Sequence, residues 1–177
     1  MYINKHRVSE LKSFDLKINM EAYKIEIAVI KKTIVELTAV EKQWMDAALA
    51  AARNAYAPYS KFQVGAVVVL DNDQLVAGNN QENAAYPSGL CAERVALFAA
   101  GAQYPDVPIK AVVIAAIKEG IIQDKIAPCG ACSQVLLESE IRHQQPVRIL
   151  MYGSKEVRIV GSVSALLPFS FNAESLH

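Results

Sequence analysis

The sequence is short of cysteine, histidine and net charge. Its 177 residues hold three cysteines and three histidines, and 18 Lys plus Arg balance 18 Asp plus Glu. An odd thiol count, with two thiols in a Cys-x-x-Cys, argues against a disulfide framework. It favours metal or redox use in a reducing compartment. Zero net charge supplies no basic face of the kind nucleic-acid binding needs. Combined with 53% hydrophobic residues, it suggests buried subunit contacts instead. No stretch approaches the length of a membrane span. The N-terminus carries scattered charges and lacks the uninterrupted apolar segment of a signal peptide, so the expectation is a cytoplasmic protein with no membrane partner. Internal repeats, low-complexity tracts and interdomain linkers are also missing. The length allows one domain with a sizeable core.

What is present reads as alternating strands and helices. Residues 1–37 are expected to form an N-terminal extension, partly disordered or adding a strand, and 38–177 the main domain. Within the extension, Tyr23, Ile25, Ile27 and Val29 alternate with Lys24, Glu26 and Ala28. Period two predicts an edge strand or arm over 23–35. Thr38-Ala39-Val40-Glu41 has the form of a capping box. Val40, Trp44, Ala47, Ala48, Ala51 and Ala55 follow at helical spacing, predicting a helix over 39–56 with Trp44 in the core. Strands are expected at 64–70 and 74–78, around an Asp71-Asn72-Asp73 turn. A polar, irregular loop over 79–89 leaves room for ligand contacts. A short helix over 91–100, closed by Gly101, is apolar but for Glu93 and Arg94. Charged residues in a buried helix need partners. A strand at 110–117, a helix at 130–140, strands at 147–152 and 156–160 and a last turn at 162–167 complete an α/β layered domain with a central mixed sheet.

All three cysteines lie in two stretches, Cys91-Ala92-Glu93-Arg94 and Pro128-Cys129-Gly130-Ala131-Cys132. Three thiolates ligate zinc and leave a fourth position for water, the arrangement of a catalytic rather than a structural site. Glu93, two residues past Cys91, is placed to reach such a water and shuttle its protons. Alone, the Cys-x-x-Cys also suits a redox pair, half of a structural zinc knuckle or two buried thiols. The redox reading leaves Cys91 and Glu93 unexplained. The structural reading lacks a fourth ligand, because His6, His143 and His177 sit in polar or terminal surroundings. Glu followed by Pro-Cys-x-x-Cys is the zinc-deaminase pattern, with His or Cys as first ligand. Both clusters fall where helices are predicted to begin, and partial positive charge there favours thiolates.

From about Thr38 to Phe171 the chain resembles the cytidine deaminases of the three-cysteine, homotetrameric kind. The resemblance rests on Tyr59-Ser60-Lys61-Phe62-Gln63-Val64-Gly65-Ala66, Asn80-Gln81-Glu82-Asn83-Ala84-Ala85-Tyr86-Pro87, the two cysteine segments and Leu166-Leu167-Pro168-Phe169-Ser170-Phe171. It implies a three-layer α/β/α fold with a central mixed five-stranded sheet. It implies one zinc ion per chain on Cys91, Cys129 and Cys132, with Glu93 as proton shuttle. Asn80 and Glu82 would hold the ribose 3′-hydroxyl, Phe62 would pack on the pyrimidine, and the Ala92 backbone would meet the base carbonyl. Ala84 and Tyr86 of one neighbour, and Phe171 of another, would complete each site of a homotetramer. Arg94 would drain charge from the sulfurs, since zinc with three thiolates is formally about −1. Where the family often has Arg after the second cysteine of the Cys-x-x-Cys, this chain has Ser133, so contacts made by that Arg are not expected here.

The implied reaction is hydrolysis of cytidine and deoxycytidine to uridine and deoxyuridine with release of ammonia, a zinc-activated water attacking C4. The partner is then a free pyrimidine nucleoside, not a nucleic acid. Two alternatives remain at this point: deamination of another aminopyrimidine nucleoside, and a non-catalytic, zinc-stabilised binding protein. A thiol redox protein is a third class, and it predicts a Cys129–Cys132 disulfide.

Overall fold

The structure, a computed structural model, describes residues 22–176. His6, His177 and the greater part of the predicted extension lie outside the described residues. The elements run β1 (Val29–Thr33), α1 (Ala39–Arg53), β2 (Phe62–Leu70), β3 (Leu75–Asn79), α2 (Ala92–Gln103), β4 (Ile109–Lys118), β5 (Ile121–Ile122), α3 (Gly130–His143), β6 (Arg148–Tyr152) and β7 (Glu156–Val160). Short 3-10 turns include Tyr86–Ser88 and Val163–Leu166.

The strands form one sheet in the order β1-β7-β6-β4-β2-β3, with β5 on β4. β4 and β6 are parallel and every other pair is antiparallel. The sheet is mixed, as expected, and has seven strands. The five strands of the expected central sheet are β3, β2, β4, β6 and β7. β1, within the predicted edge strand or arm, adds an edge, and the two-residue β5 is too short to carry a sequence signal.

Both central strands are buried on two faces, so their apolar runs show no gaps. Ala66, Val68 and Leu70 of β2 join Val112, Ile114 and Ala116 of β4 in the layer that α2 and α3 cover. Val67 and Val69 join Ala111, Val113, Ala115 and Ile117 under α1, where Trp44 is a core residue. Strand alternation thus splits one hydrophobic run into two cores, and three layers result. Gly65 lets β2 approach α1, and Gly78 lets β3 approach α2; a Cβ at either would collide with helix backbone.

The capping box forms: Glu41 N donates to Thr38 Oγ1 at 3.1 Å and Thr38 N to Glu41 Oε2 at 3.0 Å. The Glu41 carboxylate, buried, also receives Lys32 Nζ from β1 and Arg148 Nη2 from β6, each at 3.0 Å. That triad ties β1 to the body of the domain.

Several element ends differ from the sequence reading. The arm is a strand only from Val29, and it pairs with β7. Helix α1 stops at Arg53 because the next segment is drawn away: Tyr56 N donates to Asn80 O, and Tyr56 bridges to Gln81. Gly101 does not close α2; it lies inside a helix that continues to Gln103. Nor is α2 buried all round, since Phe98 is half exposed. Helix α3 runs one turn further than expected, ending at Gln144 in the left-handed conformation.

Candidate active site

Cys91 is the N-cap of α2 and Cys129 the N-cap of α3. The two helix N-termini converge, and their partial positive charge faces one point. Cys91 Sγ stands 3.9 Å from Cys129 Sγ, and Cys129 Sγ 3.3 Å from Cys132 Sγ. All three sulfurs lie within 4.8 Å of one another, the one cluster of this kind among the described residues. The cysteines are free, and 3.3 Å is far beyond the roughly 2.05 Å of a disulfide.

The donor set fits zinc. Sulfurs sharing a tetrahedral zinc at the usual bond length stand about 3.8 Å apart, close to the 3.9 Å between Cys91 and Cys129 and somewhat wider than the 3.3 Å between Cys129 and Cys132. Burial pushes the Cys91 and Cys132 thiols up from their ordinary values. A dication among them reverses that cost by favouring the thiolates. Burial also acts against the Cys129 thiolate, but the Cys132 amide at 3.4 Å and the neighbouring thiols outweigh it and bring this thiol below its ordinary value. His143 is not a member of the cluster.

A cavity of about 730 Å³ opens beside the sulfurs. Cys91, Ala92, Glu93, Arg94 and Cys129 line one side of it, while Phe62, Asn80, Glu82 and Tyr86 also contribute lining. Cys132, fully buried, belongs to the sulfur cluster without lining the cavity. Ala84 and Phe171 do not line it, and Phe171 is 61% exposed. Its carbonyl is held by Gln134 Nε2 at 2.7 Å.

Glu93 is 5% exposed, and burial raises its carboxyl above the ordinary value. Such a group takes up a proton more readily than a solvated glutamate. Arg94 Nη2 reaches Cys91 Sγ at 4.0 Å, and its Nε is buried with no partner among the described residues. Ser133 is buried beneath the Cys-x-x-Cys, its amide donating to Cys129 O at 2.9 Å.

The Asn80 side chain is engaged by the first residues of β2, and the Glu82 side chain by the segment just before it. Asn80 Oδ1 accepts from Val64 N at 2.7 Å, and its Nδ2 donates to Phe62 O at 2.9 Å. Glu82 accepts from the amides of Tyr59 and Ser60, at 2.9 and 3.2 Å, and from the Ser60 hydroxyl.

Sequence reading had not picked out Tyr59, Ser60 or Leu90, nor the wall formed by Lys125, Ile126 and Ala127. Tyr59 and Ser60 stood inside a quoted motif, and position directly before Pro128 was the available signal for the wall. The wall is fixed from β7, where Arg158 Nη2 donates to Ile126 O at 2.9 Å and Asp124 O at 3.3 Å.

A mixed sheet that brings two cysteine-capped helix N-termini together beside a buried glutamate is the framework of the zinc-dependent deaminase class. Residues 38–145 match the cytidine and deoxycytidylate deaminase zinc-binding region, and the chain belongs to that family of hydrolytic deaminases. A cytidine deaminase of Halalkalibacterium halodurans is 38% identical over 132 residues, 73% of this chain and 92% of the relative. One from Sporosarcina psychrophila is 38% identical over 127 residues, 71% of this chain and 87% of the relative. The crystal structure of cytidine deaminase from Burkholderia pseudomallei superposes with a TM-score of 0.62 at 35% identity, covering 76% of this chain and all of that one. No helix among the described residues is long and apolar enough to cross a membrane.

Proposed function

We propose that the chain hydrolyses cytidine and deoxycytidine to uridine and deoxyuridine with release of ammonia, a step of pyrimidine salvage in the cytoplasm. The observation that carries this reading is the three-sulfur cluster, two of whose cysteines line one cavity together with buried Glu93. Cys91, Cys129 and Cys132 would hold one zinc ion per chain. Bound there, zinc supplies an acidified water and a Lewis-acid centre. Glu93 moves a proton to ring N3, which makes C4 more electrophilic, and later delivers one to the departing amino group. Arg94, aimed at Cys91 Sγ, offsets thiolate charge.

The remaining residues bind and orient. Phe62 packs on the pyrimidine, and the Ala92 backbone meets the base carbonyl. Asn80 and Glu82 each retain limited hydrogen-bonding capacity. Asn80 keeps one N–H, and the Glu82 carboxylate has about four acceptor sites, three of them taken. That remainder suits one sugar hydroxyl, donating to Glu82 and accepting from Asn80. A free 3′-hydroxyl meets this need; a 3′-phosphodiester has no proton to donate. Neutral net charge points the same way, to a nucleoside rather than a nucleic acid.

We place Ala84, Tyr86 and Phe171 at sites shared between subunits of a homotetramer. Tyr86 is 77% exposed, and a packed neighbour would cover it along with Phe171. Residues 38–177 then form the catalytic domain, and residues 1–37 an extension that contributes β1.

The test is loss of the cytidine ultraviolet band with zinc-loaded protein, run beside Glu93→Gln. The expected result is turnover by the parent and almost none by Glu93→Gln, with zinc retained by both. Near-normal turnover by Glu93→Gln, or zinc-loaded parent protein inert on cytidine, overturns the assignment.

A further inference from the structure

Phe62 reaches the cavity from a turn that most residues avoid. Lys61, just before it, has φ of +57°, in the left-handed region that favours glycine. Such a turn persists only where its surroundings hold it. Here the holding groups are side chains of the cavity itself.

The Ser60 hydroxyl donates to Glu82 and accepts from Phe62 N at 3.0 Å. A hydroxyl has one proton and two lone pairs, so giving the proton to the carboxylate turns a lone pair toward the amide. The negative charge at Glu82 strengthens the first bond. On the other side of the ring-bearing residue, Phe62 O accepts from Asn80 Nδ2 at 2.9 Å. Both main-chain polar groups of Phe62 are therefore held by side chains. The amide is held through Ser60 from Glu82, and the carbonyl directly by Asn80. The Ser60 hydroxyl is also the foremost cause that lowers the Glu82 carboxyl from its ordinary value.

We infer that Ser60 is a positioning residue for the deamination: through one hydroxyl it couples the carboxylate on the sugar side to the aromatic ring on the pyrimidine side, so that Glu82, Ser60 and Phe62 move as one unit. The inference rests on the deaminase reading above and assigns Ser60 a task within it. Without the hydroxyl, Glu82 keeps only the Tyr59 and Ser60 amides, the Phe62 amide loses its partner, and the left-handed turn loses a brace. In that reading Glu82 and Phe62 bind the sugar and the ring face and do not touch the reacting C4, so the loss falls on KM rather than kcat.

The experiment compares the full-length, zinc-loaded parent with Ser60→Ala and Ser60→Thr. Cytidine kinetics and zinc content are measured. Amide hydrogen exchange over residues 59–62 is followed without substrate. Loss of a hydrogen bond to a charged group predicts a KM about tenfold higher for Ser60→Ala, with kcat within about twofold. Zinc content stays at the parent level, and the Phe62 amide exchanges faster. Ser60→Thr restores KM and protection, because it keeps the hydroxyl. Placed on a Glu82→Gln background, Ser60→Ala raises KM much less, since the two act through one contact. Unchanged KM and unchanged Phe62 protection in Ser60→Ala overturn the inference. So does a fall in kcat accompanied by loss of zinc, the mark of a general folding defect. If the parent itself fails on cytidine, the deaminase reading fails, while exchange at Phe62 still decides the coupling.

Discussion

Replacing Gly78 with alanine should loosen the metal without touching any ligand. A Cβ at this position of β3 would lie 2.7 Å from Ala92 O and 2.9 Å from Ala96 Cα, and nearer still to Ala96 N. Ordinary contact begins at 3.4 Å, so the carbonyl alone requires a displacement of about 0.7 Å. The obstructing atoms are helix backbone, which cannot rotate away as a side-chain tip does. Helix α2 must therefore lift or slide as a body. Cys91 is its N-cap and Glu93 sits in its first turn, whereas Cys129 and Cys132 belong to α3 and stay in place. Metal–ligand distances tolerate about 0.2 Å, several-fold less than the shift required. Overpacking of this kind costs about 1–3 kcal/mol. The expected outcome is a lower urea midpoint and faster zinc release to a chelating dye, with turnover falling in step with zinc. Gly101→Ala is the matched control: it lies in the same helix with nothing within 4 Å of its Cβ. Alanine there should stabilise by about 0.5–1 kcal/mol and leave zinc unaffected. Gly78→Ala with parental zinc retention and stability would refute the close-approach argument.

Two further outcomes follow from the buried charges and the sulfurs. Burial acts to raise the Glu41 carboxyl, but the Thr38 amide, Lys32 and Arg148 outweigh it and bring it from 4.5 to about 2. The folded value lies below the unfolded one. This stabilisation is therefore complete above about pH 5 and is lost as pH falls toward 2. A difference of that size is worth about 3 kcal/mol at most, less because Lys32 and Arg148 are partly open to solvent. Denaturation midpoints measured from pH 6 to pH 2.5 should fall less steeply for Glu41→Gln than for the parent, and equal slopes would remove Glu41 from the account. Prolonged chelation should abolish turnover and lower the denaturation midpoint, and added zinc should restore both. Cys129→Ser should retain much less zinc at equilibrium, and parental retention would contradict the three-sulfur site.

Local chemistry made the helix starts readable. Thr38 and Glu41 announce α1 three residues apart, and their reciprocal hydrogen bonds form as that spacing requires. Cys91 and Cys129 were expected at helix beginnings and both are N-caps. The apolar runs of β2 and β4 marked buried strands, though not which residue faced which core. Element ends were less readable because distant partners set them. Tyr56 leaves the helical pattern for a bridge to Gln81, and Gly101 continues a helix where glycine usually stops one. The candidate site divides similarly. The cysteines, Glu93, Phe62, Asn80 and Glu82 stood in recognisable patterns, and the structure gathers them around the sulfurs and the cavity. The wall at Lys125, Ile126 and Ala127 depends on Arg158, more than thirty residues away. The engagement of Glu82 by Ser60 spans 22 positions. Neither has a periodicity or spacing that composition could reveal.

The sulfurs cap two helices that are made at different moments of synthesis. Cys91 leaves the ribosome 38 residues ahead of Cys129, and the first thiol has no companions until α3 exists and has docked on the sheet. A nascent or truncated chain offers one donor, or three that do not converge, and competes poorly for scarce metal against the cell's own chelators. Metal held by all three sulfurs would therefore report that both helices have reached their native places, and zinc content measured on the purified protein would gauge completed folding.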